Sequence, residues 1–199
     1  MKKAYITGAT GAIGMALVGE LLKNGISTTV FLRKDSGRND RVKDSFSGEL
    51  ASGLLRIEYV SLEELSGYAL SRNTQDMQTY ASQDLLTKAA GGADTAVFYH
   101  LGWSGTFGEQ RNDADMQQKN VEYTLDAVRL AKRLGCVHFI GVGSQAEYGR
   151  FDGRLTPDTR TLPENEYGRA KLAAGIRSAE LCRELGLRHS WVRVLSVYG

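Results

Sequence analysis

Two side chains in the last third of the sequence have the types and spacing for proton transfer. Tyr167-Gly168-Arg169-Ala170-Lys171 places a phenol and an ammonium four residues apart, on one face of a helix. A free phenol titrates near about 10 and is a poor acid or base at neutral pH, but a fixed positive charge beside it stabilises the phenolate. Lys171 can supply part of that charge and still hydrogen-bond a ribose hydroxyl. Ser144, in Gly143-Ser144-Gln145, offers a hydroxyl able to bond the same substrate oxygen that Tyr167 protonates. Without a cofactor nearby, a tyrosine and lysine at this spacing are an ordinary surface pair, and Ser144 is a turn or cap residue. What stands upstream decides between the two.

Upstream is a glycine-rich turn. Tyr5-Ile6-Thr7-Gly8-Ala9-Thr10-Gly11-Ala12-Ile13-Gly14 is a short apolar run followed by three glycines spaced three apart. A turn lacking Cβ atoms lets backbone N–H groups approach phosphate oxygens, and the positive N-terminal end of a following helix faces the same charge. Gly8, Thr10, Gly11, Ala12, Ile13 and Gly14 are therefore the expected cradle for the pyrophosphate of a dinucleotide, and Gly14 also lets the helix pack tightly on the sheet. Ile13, Leu17, Leu21 and Leu22 recur at helical spacing until Asn24-Gly25 stops the run. Ser27 to Leu32 is β-branched and apolar, a second strand, and it ends on Arg33-Lys34, about 20 residues after the last glycine. An acidic residue there accepts hydrogen bonds from an adenosine 2′-hydroxyl, whereas an arginine pairs with a 2′-phosphate. Arg33 thus points to NADP rather than NAD, the alternative being a solvated basic strand end.

The remaining elements follow from periodicity and breakers. A polar loop from Asp35 to Gly53 holds a short helix near Arg41 to Phe46. Leu54 to Val60 reads as a third strand, with Ser61-Leu62 at its end approaching the adenine. A helix is expected around Met77 to Ala90, before Gly91-Gly92. Ala93 to Leu101 is a nearly continuous apolar run, as for a strand buried on both faces, closing on His100-Leu101-Gly102-Trp103 beside the cofactor. The polar loop Ser104 to Asp115 is long enough to form a rim over a site. Met116 to Leu134 is a helix striped by Val121, Leu125 and Val128 and ended by Gly135. Val137 to Val142 is a strand, with Ser144 just past its carboxyl end. Tyr167 to Leu185 is a helix stopped by Gly186, and Ser190 to Leu195 is the last strand. Strands alternating with helices predict an α/β, doubly wound parallel sheet with right-handed crossovers, in one domain over residues 1–199. Ligands bind such sheets at the carboxyl ends of their strands.

The formal net charge of +2 over 199 residues, with no long single-sign run, argues against nucleic acid or a membrane surface as the main partner. Cys136 and Cys182 show no CxxC or Cys/His spacing, as for inert thiols in a reducing compartment, and no metal site is expected. The first strand begins at once, without a signal-like apolar run, so the expected location is cytoplasmic. Gly143-Ser144 lacks the GxSxG elbow of serine hydrolases. His100, His138 and His189 read as structural.

In order, Thr7-Gly8-x-x-Gly11-x-x-Gly14, His100-Leu101-Gly102, Asn120-Val121-x-x-Thr124, Ser144 four before Tyr148-Gly149, Tyr167-x-x-x-Lys171 and Val197-Tyr198-Gly199 resemble the extended short-chain dehydrogenases/reductases. These are the nucleotide-sugar epimerases, dehydratases and reductases of the NAD-dependent epimerase/dehydratase family. The resemblance implies a Rossmann fold, Tyr167 as acid/base, Lys171 as its partner and ribose ligand, Ser144 as substrate-oxygen ligand, and Leu62, Leu101 and Gly102 beside the cofactor. Asn120 matches the family's structural asparagine; on its own spacing it either holds a backbone carbonyl or water near the lysine or lies on the helix surface. The sugar 4,6-dehydratases carry an Asp-Glu pair where this chain has Gln145-Ala146, which disfavours dehydration. Arg33 replaces the acidic residue of NAD-retaining epimerases, and Ser61 stands where many relatives have an aspartate beside adenine. The expected function is therefore NADP-dependent reduction of a nucleotide-linked keto sugar, with epimerisation, or dinucleotide binding without catalysis, as alternatives. Family members continue past Val-Tyr-Gly into a substrate-binding lobe, so the expectation here is a cofactor domain without it. The helices from Met116 and Tyr167 are the expected homodimer interface.

Overall fold

The computed structural model describes residues 1–71, 95–156 and 158–197. The first crossover runs from β1 (Lys3–Thr7) through α1 (Ala12–Lys23) to β2 (Ser27–Leu32). Gly11 caps α1 with no side-chain bond, and Asn24-Gly25 closes it as the Gly25 and Ile26 amides donate back to Leu22 O and Leu21 O. Two short helices follow, α2 (Asn39–Ser45) and α3 (Ser47–Ala51), and then β3 (Leu55–Tyr59). A capping box, in which the Ser61 amide donates to Glu64 Oε2 at 2.8 Å, opens a 3-10 turn and then α4 (Leu65–Ser71).

The second half runs through β4 (Ala96–His100), α5 (Ala114–Arg133), β5 (Cys136–Ser144), α6 (Glu166–Leu185) and β6 (Arg188–Val194). Side-chain caps fix both long helices: Asp113 Oδ1 accepts the Met116 amide at 3.0 Å and Asn165 Oδ1 the Gly168 amide at 2.8 Å. Gly186, in the left-handed region, ends α6.

All neighbouring strands run parallel, in the order β3-β2-β1-β4-β5-β6. This is the doubly wound Rossmann sheet the sequence predicts, and its order reverses between β1 and β4, which leaves a crevice at their carboxyl ends. Alternation along β1 splits the core. Ile6 faces Val18, Leu21 and Leu22 of α1, while Tyr5 joins Phe31, Phe98 and Phe139 in a row of rings 5.8–6.4 Å apart under α4 and α5.

The strand expected at Ser27–Leu32 has those bounds. α3 and α4 were not expected, because short helices of five and seven residues show no full stripe. β5 extends further than expected, so Ser144 is its last residue rather than one beyond it. The helix expected at Met77 to Ala90 and the Tyr198-Gly199 end lie outside the described residues. Among the described residues no helix is long and apolar enough to cross a membrane.

Candidate functional site

The glycine turn joins β1 to α1 with almost no free volume. Gly8 has φ +76°, and a Cβ there would stand 2.6 Å from Gly102 N and Leu101 C at the end of β4. A Cβ on Gly14 would run into Gly8 O, and one on Gly102 would stand 2.8 Å from Leu62 Cδ2. Gly11 differs: its backbone is extended, and a Cβ would make only an ordinary 3.6 Å contact with Gly8 O. The first turn of α1 has neither an acidic residue nor a side-chain cap, so its positive end is left uncompensated.

A cleft of about 200 Å³ opens at these strand ends. Of the residues expected at the cofactor it is lined by Gly8, Thr10, Arg33, Leu62 and Gly102; Ser36 and Trp103 line it too. Gly11, Ala12, Ile13, Gly14 and Leu101 are not among its walls. Gly14 instead packs behind the turn, and the Leu101 amide continues the sheet by donating to Thr7 O at 3.1 Å. Exposed Arg33 stands on a loop pinned by Asn39, whose Nδ2 donates to Arg33 O at 3.0 Å and Lys34 O at 3.1 Å.

On the other side of Trp103 lies a group of buried polar side chains. Lys171 is 4% exposed; its Nζ donates to Val142 O at 2.7 Å and sits 3.7 Å from the Trp103 ring centre, with the Tyr167 and Trp191 rings each at 5.9 Å. Burial pushes the Lys171 ammonium down to about 7, and the Glu147 carboxylate offsets this only in part. Tyr167 meets Trp103 edge-on at 6.1 Å and carries the Arg111 guanidinium 4.3 Å from its ring centre. Trp103 therefore touches the cofactor-side cleft, the lysine and the phenol at once.

Ser144 is set by its neighbours. Its amide donates to Glu147 Oε1 at 2.7 Å and its Oγ accepts the Ala146 amide at 3.2 Å. Glu147 is fully buried, and it also accepts Arg193 Nε at 2.6 Å and Trp191 Nε1 at 3.1 Å. Gln145 and Ala146 hold the two positions after Ser144, and the nearest carboxylate in sequence is thus already committed to Arg193.

The exit loop from β4 is strapped to α5. Asn120 is 1% exposed, which excludes the helix-surface alternative; it accepts the Ser104 amide at 2.8 Å and donates to Ser104 O at 2.9 Å and Met116 O at 3.1 Å. One turn earlier, Gln117 Oε1 accepts Trp103 Nε1 at 2.8 Å. His100 lies between Thr7 Oγ1 at 2.9 Å and Thr124 Oγ1 at 3.2 Å, and burial, then the Lys171 charge, pushes it down to about 3. It is neutral and structural. Burial pushes the Cys136 and Cys182 thiols up to about 12 and about 11, as for inert cysteines. Among the described residues no group of His, Cys, Asp and Glu could hold a metal.

Ser36, Arg111, Gln117, Glu147 and Arg193 were not singled out from the sequence, and Trp103 was expected only as the close of the fourth strand beside the cofactor, without its contact to Lys171. Ser144-x-x-Glu147 is a capping-box spacing that pointed to Glu147, and Gln117 lies one helical turn before Asn120.

The model of the NAD dependent epimerase/dehydratase family matches residues 4–199. The chain belongs to this family. Among curated proteins no sequence matches it. Solved structures similar to this member of the family include UDP-glucuronic acid 4-epimerase from Bacillus cereus in complex with NAD, at 22% identity and TM-score 0.70 over 99% of this chain and 58% of that one. A UDP-glucose 4-epimerase matches at 20% identity and TM-score 0.72, over 99% of this chain and 52% of its own. The UDP-Glc/GlcNAc 4-epimerase from the human pathogen Campylobacter jejuni matches at 20% and 0.69, over 97% and 53%. At these identities the likeness is one of fold. The chain spans a little over half the length of these neighbours.

Proposed function

We propose that this family member is an NAD(P)-dependent enzyme that epimerises a nucleotide-linked sugar. The observation that carries the reading is the convergence of Tyr167, Lys171 and Ser144 on Trp103 and the carboxyl end of β5, next to the glycine cleft that Trp103 also lines. The residues of that cleft fit a dinucleotide. In the turn beside it, Gly8 and Gly14 are demanded by the fold but Gly11 is not, and a ligand reaching from the cleft to the start of α1 would explain why Gly11 lacks a side chain. The uncapped start of α1 supplies N–H donors for a pyrophosphate, and Arg33 and Ser36 line the adenosine side.

When bound, the nicotinamide supplies a hydride acceptor and then a hydride donor. The chain's own groups manage the oxygen. Tyr167 takes the proton from the sugar hydroxyl as the carbon is oxidised and returns it once the opposite face is presented. Ser144 Oγ, fixed by Glu147 through the Ser144 amide, donates to that oxygen and orients it. Lys171 places a positive charge beside the phenol while Trp103 and Val142 O hold its ammonium. Asn120 and Gln117 position rather than react, because their polar atoms are taken up by Ser104, Trp103 and neighbouring backbone.

Epimerisation stands ahead of net reduction because the similar solved structures described above are 4-epimerases. Arg33 favours the second reading, in which exchangeable NADPH reduces a keto sugar. We also place self-association on α5 and α6, where Ile176 is 53% exposed beside the Arg177–Glu122 pair that links the two helices. The test incubates the protein with nucleotide sugars and a trace of NAD(P), following sugar configuration by NMR and cofactor by absorbance. Configuration should change without accumulating reduced cofactor, and Tyr167→Phe should abolish it. Stoichiometric consumption of NADPH would instead establish the reductase, and undiminished turnover in Tyr167→Phe would sink both.

A further inference from the structure

The loop between β4 and α5 carries a cation that this chemistry leaves unused. Arg111, in the 3-10 turn Gly108–Asn112, makes one long hydrogen bond, from Nη1 to Thr106 O at 3.4 Å, and among the described residues no carboxylate pairs with it. Three other arginines at this end of the site are taken: Arg193 by Glu147, Arg150 by Glu164 and Arg169 by Glu166. A guanidinium stays charged at working pH and offers a planar fork of donors matched to a carboxylate. Left half-buried without an acid it adds little to the fold, yet it is a ready receptor for a bidentate anion.

Its place narrows the anion. Arg111 lies against the Tyr167 ring and also lines a cleft of about 380 Å³ shared with Ser144, Gln145 and Asn165. Arg111 thus bridges the Tyr167 ring and the cleft that Ser144 lines, and the charges of Arg150 and Glu164 in that cleft cancel. A sugar oxygen held between Tyr167 and Ser144 would turn one of the two flanking carbons, and the substituent it carries, towards Arg111. In a hexuronic acid reacting at position 4, the substituent on the C5 side is a carboxylate. The nucleotide's diphosphate is attached across the ring.

Resting on the reading of the site given above, we propose that Arg111 receives the sugar's own carboxylate, so that the substrate class is a nucleotide-linked hexuronic acid rather than a neutral hexose. The loop Ser104 to Asp113 then acts as a specificity element. Gln117 fixes it by donating to Gly105 O at 2.8 Å and Gln110 O at 2.9 Å.

The test is calorimetric titration of the full chain, with NAD present, by UDP-glucuronic acid, UDP-glucose and UDP, in wild type, Arg111→Met and Arg111→Lys. Wild type should bind the acid at least about tenfold more tightly than the hexose, as one charge-assisted pair supplies. Arg111→Met should bring that ratio to about one, and Arg111→Lys should keep part of it. A ratio unchanged in Arg111→Met, with UDP weakened equally, would overturn the inference in favour of a diphosphate contact. Wild type binding both sugars alike would overturn it while leaving the nucleotide-sugar reading intact. Binding of none of the three probes would remove that reading, and this inference with it.

Discussion

At the β1–α1 turn the chain excludes side chains, with Gly8, Gly14 and Gly102 packed backbone to backbone, whereas at the ends of β5 and β6 it encloses charged ones, Lys171, Glu147 and Arg193. The two regions are bridged by Trp103, which walls the glycine cleft and covers the lysine. They should fail in different ways. The turn depends on shape, so added atoms break it at any pH. The buried charges depend on each other and on solvent exclusion, so their failures follow charge and pH.

The largest expected effect is in the charged region. Glu147→Ala removes the acceptor of Arg193 Nε, Trp191 Nε1 and the Ser144 amide together, and should lower unfolding free energy by about 3–5 kcal/mol. Chemical denaturation checks this, and a loss below about 1 kcal/mol would mean the network is not a structural unit. Next is a pH effect. Lys171 titrates near about 7 in the folded chain against an ordinary value of 10.5, so between those values the unfolded chain binds more protons and stability rises with pH. The rise is on the order of 4 kcal/mol between those values, and Lys171→Met should abolish it. If stability against pH from 7 to 10.5 has the same slope in both proteins, the lysine is not desolvated as described. In the turn, Gly14→Val drives a side chain into Gly8 O and should cost about 2–3 kcal/mol, with no pH dependence of its own.

Legibility in the sequence follows the same division. The glycine turn and the bounds of β2 could be read from spacing, because their constraints are local: a missing Cβ, a β-branched run, a breaker on each side. Tyr167, Lys171 and Ser144 were singled out by type and order; the fold sets Lys171 by the Tyr167 ring and bonds it to Val142 O, two residues before Ser144. Their surroundings were not legible. Trp103 over Lys171, Arg111 over Tyr167 and Glu147 beneath Ser144 with Arg193 are mostly contacts between separate elements, and no period along the chain announces them. Asn120 stood between two readings until its burial against Ser104 decided for the backbone brace. α4 escaped because its start signal, Ser61-x-x-Glu64, precedes too short an apolar run.

The most direct measurement is dinucleotide affinity in Gly11→Asp, followed by nicotinamide fluorescence with NADH and NADPH. Aspartate suits the N-cap position Gly11 occupies and complements the helix dipole, and the fold leaves room for its Cβ. The variant should therefore be folded and as stable as wild type, yet bind either cofactor at least about 100-fold more weakly, since its carboxylate would stand at the helix start where the proposed pyrophosphate would bind. Wild-type affinity in a folded Gly11→Asp, or no binding by the wild type, would contradict a dinucleotide cradle at this turn and the function built on it.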